Sequence, residues 1–153
     1  MAQEIERKFL VAGDSWKDGA TGTLTRQGYL SSGSACSVRV RVAGGKGFLT
    51  IKGSTRGITR TEFEYPIPEG DASAILGELC ARTIEKTRWL VPWKGFTWEV
   101  DEFHGENAGL VVAEVELPDA EAKPELPPWV REEVSLDPRY FNSNLATKPF
   151  TTW

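Results

Sequence analysis

The chain has 153 residues, 18 Lys plus Arg against 22 Asp plus Glu, and a net charge of −4. Its length suits one domain, residues 1–153, with one core. A composition of 40% hydrophobic and 26% charged residues excludes wholesale disorder and a collagen-like rod, and the acidic balance argues against nucleic acid as a partner. The first residues, Met-Ala-Gln-Glu-Ile-Glu-Arg-Lys, contain no apolar signal region, so no export is expected. The longest apolar stretch, Leu110–Val115, is broken by Glu114 and is far short of the ~20 residues a membrane span needs. Cys36 and Cys80 have no metal or redox spacing, which fits free thiols in the cytoplasm.

Taken in chain order, the first half reads as strands separated by glycine-rich turns. Strands are expected at Glu4–Val11, Leu24–Ser31, Ala35–Val42, Phe48–Gly53 and Ile58–Ile67. Gly44-Gly45-Lys46-Gly47 is a hairpin loop between the third and fourth. Pro68–Cys80 breaks the pattern, with apolar residues at helical spacing. Strands resume at Arg82–Val91, Phe96–Phe103 and Leu110–Leu117. Five of the nine prolines then fall between Pro118 and Pro138, which predicts an irregular surface excursion, with a short helix at Asp119–Lys123. A last short helix is expected at Asn142–Thr147.

Residues i and i+2 of a strand share a face, so each strand can be sorted into two. One face collects Glu4, Glu6 and Lys8; Arg39 and Arg41; Lys52; Arg60, Glu62 and Glu64; Lys86 and Arg88; Glu99 and Asp101; Glu114 and Glu116. The other is apolar. An antiparallel sheet with one wet face alternates in the same way. Here, however, the charges recur as same-sign pairs, which repel unless something compensates them. If eight strands close into a barrel, either the apolar face fills it or the charged face lines a lumen. Acids suit a hard divalent cation, while Lys and Arg suit a polyanion. A metal-bound chain of phosphates needs both.

The opening Glu4-Ile5-Glu6-Arg7-Lys8-Phe9 fits the Glu-x-Glu-x-Lys signature of the CYTH family, the triphosphate tunnel metalloenzymes. In order there follow Arg26-Gln27-Gly28-Tyr29-Leu30, Ser37-Val38-Arg39-Val40-Arg41, Leu49-Thr50-Ile51-Lys52, Thr61-Glu62-Phe63-Glu64-Tyr65, Glu85-Lys86-Thr87-Arg88, Trp98-Glu99-Val100-Asp101 and Ala113-Glu114-Val115-Glu116-Leu117. The resemblance runs to about Ala146, and the chain looks most like the compact bacterial inorganic triphosphatases. It implies a mainly β (α+β) fold: a closed eight-stranded antiparallel β-barrel forming a charged tunnel, with a few flanking helices. It also implies a Mg²⁺ or Mn²⁺ cofactor and a small-molecule triphosphate substrate. The expected metal ligands are Glu4, Glu6, Glu114 and Glu116, with Asp101 for a second ion. Lys8, Arg39, Arg41, Lys52, Lys86 and Arg88 are expected to hold phosphate oxygens. Glu62, with Glu64 its rival by parity, is expected to orient or deprotonate the attacking water. Lys8 and Lys86 belong with Glu62 to the expected catalytic set. No Ser, Cys or His nucleophile with a partner is visible, which fits direct attack by water.

Other features carry less. Lys52-Gly53-Ser54-Thr55 lacks the preceding glycine and following helix of a P-loop. His104 sits beside a turn, and the six tryptophans are scattered in the manner of packing residues. The leading expectation is cleavage of tripolyphosphate to pyrophosphate and phosphate. The alternatives are hydrolysis of thiamine triphosphate or ATP, adenylate cyclisation of the class IV type, and a non-catalytic polyphosphate- or nucleotide-binding module. A small-molecule carrier barrel requires an apolar lumen.

Overall fold

A computed structural model describes residues 3–33 and 35–153. Its strands are β1 (Gln3–Val11), β2 (Thr21–Ser32), β3 (Cys36–Ala43), β4 (Lys46–Gly53), β5 (Thr59–Ile67), β6 (Thr83–Trp93), β7 (Phe96–Phe103), β8 (Val111–Glu116) and β9 (Val130–Glu133). Two α-helices, α1 (Glu69–Glu78) and α2 (Asn142–Thr147), complete the regular structure, with four short 3-10 turns. The order β5-β4-β3-β2-β6-β7-β8-β1 closes on itself because β1 also pairs with β5. Every pairing is antiparallel.

β1 is the closing strand. Gln3–Ile5 pairs with Thr59–Thr61 of β5, and Glu6–Leu10 pairs with Val112–Glu116 of β8. Phe9 and Val11 pair with Glu133 and Val130 of β9. The eight expected barrel strands are thus present, and β9 is an addition. It is short and exposed over Arg131–Glu133, so no alternation marks it; the open edge of β1 and the Arg7–Glu133 ion pair at 3.0 Å hold it in place. The helix expected at Asp119–Lys123 does not form. Instead Asp119 Oδ1 accepts from the Glu121 N–H at 2.9 Å in a turn, the side-chain competition that keeps Asp out of helix interiors.

The outer face of the barrel is apolar and covered in sections. Trp98, Val100, Ala113, Val115 and Phe9 pack beneath Trp16, Leu117 and Trp129. Helix α1 lays Ala72 and Leu76 on Val40 of β3. It approaches closely because glycines lie beneath it: a Cβ on Gly47 would stand 2.8 Å from the Ala72 Cβ. The hairpin between β3 and β4 turns on Gly44 and Gly45, with φ of 56° and 76°, a region L-residues rarely adopt. A third cluster lies across one end of the barrel. There Ile84, Phe103, Leu110 and Val112 meet Val134, Tyr140, Leu145 and Ala146 of the C-terminal segment.

Candidate active site

Because the outer faces are apolar, alternation turns the charged face inward. It lines a cavity of about 390 Å³. Lys8, Arg39, Arg41, Lys52, Arg60, Lys86 and Arg88 face Glu4, Glu6, Glu62, Glu64, Glu99, Glu114 and Glu116 across it, so the opposing charges balance. Every residue expected at the site lies on this lining except Asp101, together with Thr25, Tyr29, Ser135, Phe141, Asn142 and Ser143.

Asp101 is the exception. It is fully buried, and both of its oxygens are occupied. Arg88 donates to Oδ1 through Nε at 2.8 Å and to Oδ2 through Nη2 at 2.9 Å, and Lys86 Nζ donates to Oδ2 at 2.9 Å. Burial alone would raise this carboxyl, but Arg88 and Lys86 hold it below its ordinary value. Parity placed it on the inward face correctly. Parity says nothing of which inward carboxylate a neighbouring strand will pair, and the register sets Asp101 opposite Arg88. In this structure Asp101 is therefore a buttress for two cations, set apart from the acids that line the cavity.

The remaining charges form two groups. In one, Lys52 Nζ lies 3.1 Å from both Glu4 and Glu62, and Arg60 lies 3.4 Å from Glu4. Burial works to raise the Glu4 carboxyl, yet Lys52, a hydrogen bond from Glu62 and Arg60 bring it down to about 2. Glu62 moves up instead, through burial and its hydrogen bond to the Glu4 carboxylate. Glu64 is tied to Arg41 at 2.6 Å. In the second group, Glu114 lies 3.7 Å from both Lys8 and Arg88, and Arg88 also holds Glu99 at 2.9 Å. Against burial, Lys8, Arg88 and Lys86 lower the Glu114 carboxyl. Burial brings the Lys86 ammonium down to about 8 even with Asp101 beside it.

Three of these side chains, Arg39, Glu6 and Glu116, form no ion pair among the described residues. Arg39 is buried, with 8% of its surface exposed, and has no carboxylate within ion-pair distance among the described residues. Its Nη2 donates to Thr50 Oγ1 at 3.3 Å, while its Nε is buried with no hydrogen-bond partner, as is that of Arg41. Glu6 is the opposite case. It forms no ion pair among the described residues, and its carboxyl is raised well above its ordinary value by burial and by the charges of Glu114 and Glu4. Glu116 lies opposite it in register. These are hard oxygen donors short of positive charge, which fits a divalent cation. Among the described residues no three acids form a ready-made cage, and Mg²⁺-type ions characteristically take one or two carboxylates and complete their shell with water and phosphate.

The CYTH domain family matches residues 2–146. The chain belongs to the CYTH family. Within it, the chain is 54% identical over 151 residues to an inorganic triphosphatase of Acetivibrio thermocellus, covering 98% of this chain and 97% of that one. It is 38% identical over 149 residues to an inorganic triphosphatase of Nitrosomonas europaea, covering 94% and 96%. The crystal structure of the inorganic triphosphatase NE1496 superimposes with a TM-score of 0.65 at 34% identity, over 94% of this chain and 97% of that one. CYTH membership and the inward charges leave no apolar lumen for a small-molecule carrier.

Residues on the lining with no role assigned from sequence include Arg60 and Asn142. Arg60 shares a face with Glu62 by parity, but its pairing with Glu4 crosses from β5 to β1 and appears only when the barrel closes. His104 bonds Thr87 Oγ1 at 2.8 Å, on the outward-facing parity of β6, and does not line the lumen.

Proposed function

We infer that the chain is a metal-dependent hydrolase of inorganic tripolyphosphate, releasing pyrophosphate and phosphate inside the barrel. The observation that carries this reading is the incomplete pairing of the lumen: a buried Arg39 without an anion, and Glu6 and Glu116 on the same lining without a basic partner. Burying an unpaired charge is costly, so such groups belong to a site whose partners arrive as ligands. A base without an anion and acids without a cation call for a polyanion carrying a cation.

In this reading Lys8, Arg39, Arg41, Lys52, Lys86 and Arg88 hold the phosphate oxygens, with the two guanidinium Nε donors of Arg39 and Arg41 finding acceptors there. Glu4, Glu6, Glu114 and Glu116 would hold the divalent ion, Mg²⁺ or Mn²⁺, which when bound neutralises charge on the phosphates. Glu62 orients the water and takes its proton, whereas Glu64 on the same strand is held by Arg41 at 2.6 Å. Attack is in line with the departing pyrophosphate, and positioning with charge neutralisation supplies most of the rate. No helix among the described residues is long and apolar enough to cross a membrane.

The test is phosphate release from tripolyphosphate, ATP and thiamine triphosphate with Mg²⁺, with Mn²⁺ and with chelator, beside Glu4→Ala and Glu116→Ala. Fast metal-dependent release from tripolyphosphate, lost in both folded variants, is expected. Preference for an organic triphosphate would replace the substrate. Cyclic AMP from ATP would replace the reaction, and tight binding without turnover would leave a binding module. Wild-type rates in Glu4→Ala or Glu116→Ala would overturn the metal assignment.

A further inference from the structure

The lysines nearest the closed end of the barrel are held by the C-terminal segment. Lys8 Nζ donates to the Tyr140 carbonyl at 3.1 Å, and Lys86 Nζ donates to Asn142 Oδ1 at 2.9 Å. An ammonium has three N–H donors. On Lys86 one goes to Asp101 Oδ2 at 2.9 Å and a second to Asn142 Oδ1, so one remains, and Lys86 lines the cavity. The tetrahedral nitrogen then has no freedom left: two acceptors on different elements, β7 and α2, fix the direction of the last N–H. Asp101 alone would leave the ammonium free to rotate about a single contact.

Asn142 is itself anchored twice. Its Oδ1 also accepts from Gln27 Nε2 at 3.1 Å, and Gln27 is fully buried on β2. It opens α2, whose Leu145 and Ala146 are packed into the apolar end of the barrel. The place of this one oxygen is therefore set by core packing and not by a surface loop.

We propose that Asn142 is a positioning residue for the hydrolysis, its amide oxygen aiming the remaining N–H of Lys86 at the substrate phosphate. The proposal rests on the triphosphatase reading above. The two neighbours of Lys86 then differ in role, Asp101 balancing its charge and Asn142 setting its direction. Positioning of this kind matters because a displacement of about 1 Å at a reacting group can cost on the order of a hundredfold in rate.

The experiment is a double-mutant cycle on the full chain, measuring kcat and KM for tripolyphosphate with Mg²⁺ and Mn²⁺, with melting temperatures alongside. Asn142→Ala is expected to lower kcat about tenfold, the worth of one hydrogen bond to a charged group, and to raise KM by less than about threefold. Asn142→Asp keeps an acceptor in place and is expected to retain most of the rate. Lys86→Ala is slow by itself, and adding Asn142→Ala to it should cost nothing more, since groups acting as a unit are not additive. A wild-type kcat in Asn142→Ala overturns the proposal. So does an equal loss with and without Lys86, and so does a loss that is the same in the Ala and Asp variants and follows the melting temperature. A wild-type chain that releases no phosphate overturns the triphosphatase reading, and the proposal with it.

Discussion

The inner face of the barrel has two regions built by one rule. Along β1 the inward side chains run Glu4, Glu6, Lys8 and then Leu10; along β8 they run Val112, Glu114 and Glu116. The strand alternation is unbroken, but the chemistry changes at the closed end, where Ile84, Phe103, Leu110 and Val112 join the C-terminal segment in a dry cluster. That end buries apolar surface and contributes stability. The stretch beside it gathers charges whose desolvation costs stability and whose pairing is left incomplete at Arg39, Glu6 and Glu116. A single face thus does two opposed things within a few residues of each strand.

Substitutions should separate the two regions. Leu110→Ala opens a cavity in the dry end and should lower the unfolding free energy by about 2–5 kcal/mol, read by denaturant titration, with the folded protein keeping its kcat. Arg39→Ala should do the reverse. Tripolyphosphate turnover falls by about a hundredfold while the denaturation midpoint stays level or rises, because the side chain removed has no carboxylate partner to orphan. An Arg39→Ala protein that is both active and unstable would place Arg39 in the wrong region.

Lys86 sits on the boundary, and there pH is the finer probe. Its ammonium is brought to about 8 in the folded chain from an ordinary value of 10.5, so between those values the unfolded state binds more protons. Stability relative to Lys86→Met should therefore rise as pH climbs from about 8 toward 10.5, and a flat difference would mean that Lys86 is better solvated than its burial implies. The smallest effect belongs to the exterior. Arg7→Ala loses only the partly exposed pair with Glu133 and should cost about 0.2–1 kcal/mol, less at high salt.

Most of this organisation was legible because period-two alternation is a local property. Eight strands and the sorting of charged from apolar faces follow from it; that the charged face turns inward was implied only by the CYTH resemblance. What alternation could not supply was depth and partnership. Asp101 reads the same as Glu99 by parity, yet one is walled in by Arg88 and Lys86 and the other lines the cavity. Val130–Glu133 has no alternation to read, and its strand exists because β1 offers an edge. Asn142 reads as the first residue of a short helix; only the packing of Leu145 and Ala146 brings its oxygen to Lys86.

The closing role of β1 has a consequence for how the molecule comes into being. Its partners are β5, β8 and β9, so the segment made first must wait for chain made last. Within the meander from β2 to β5 each strand pairs with the next in sequence, so these contacts can form early. Sealing the cylinder requires long-range closure, the slow kind of step in β-rich chains. Glu4, Glu6 and Lys8 ride on that last piece. The cavity lining is thus completed in the same event that seals the wall, and before it Lys52 and Arg60 lack the Glu4 that faces them.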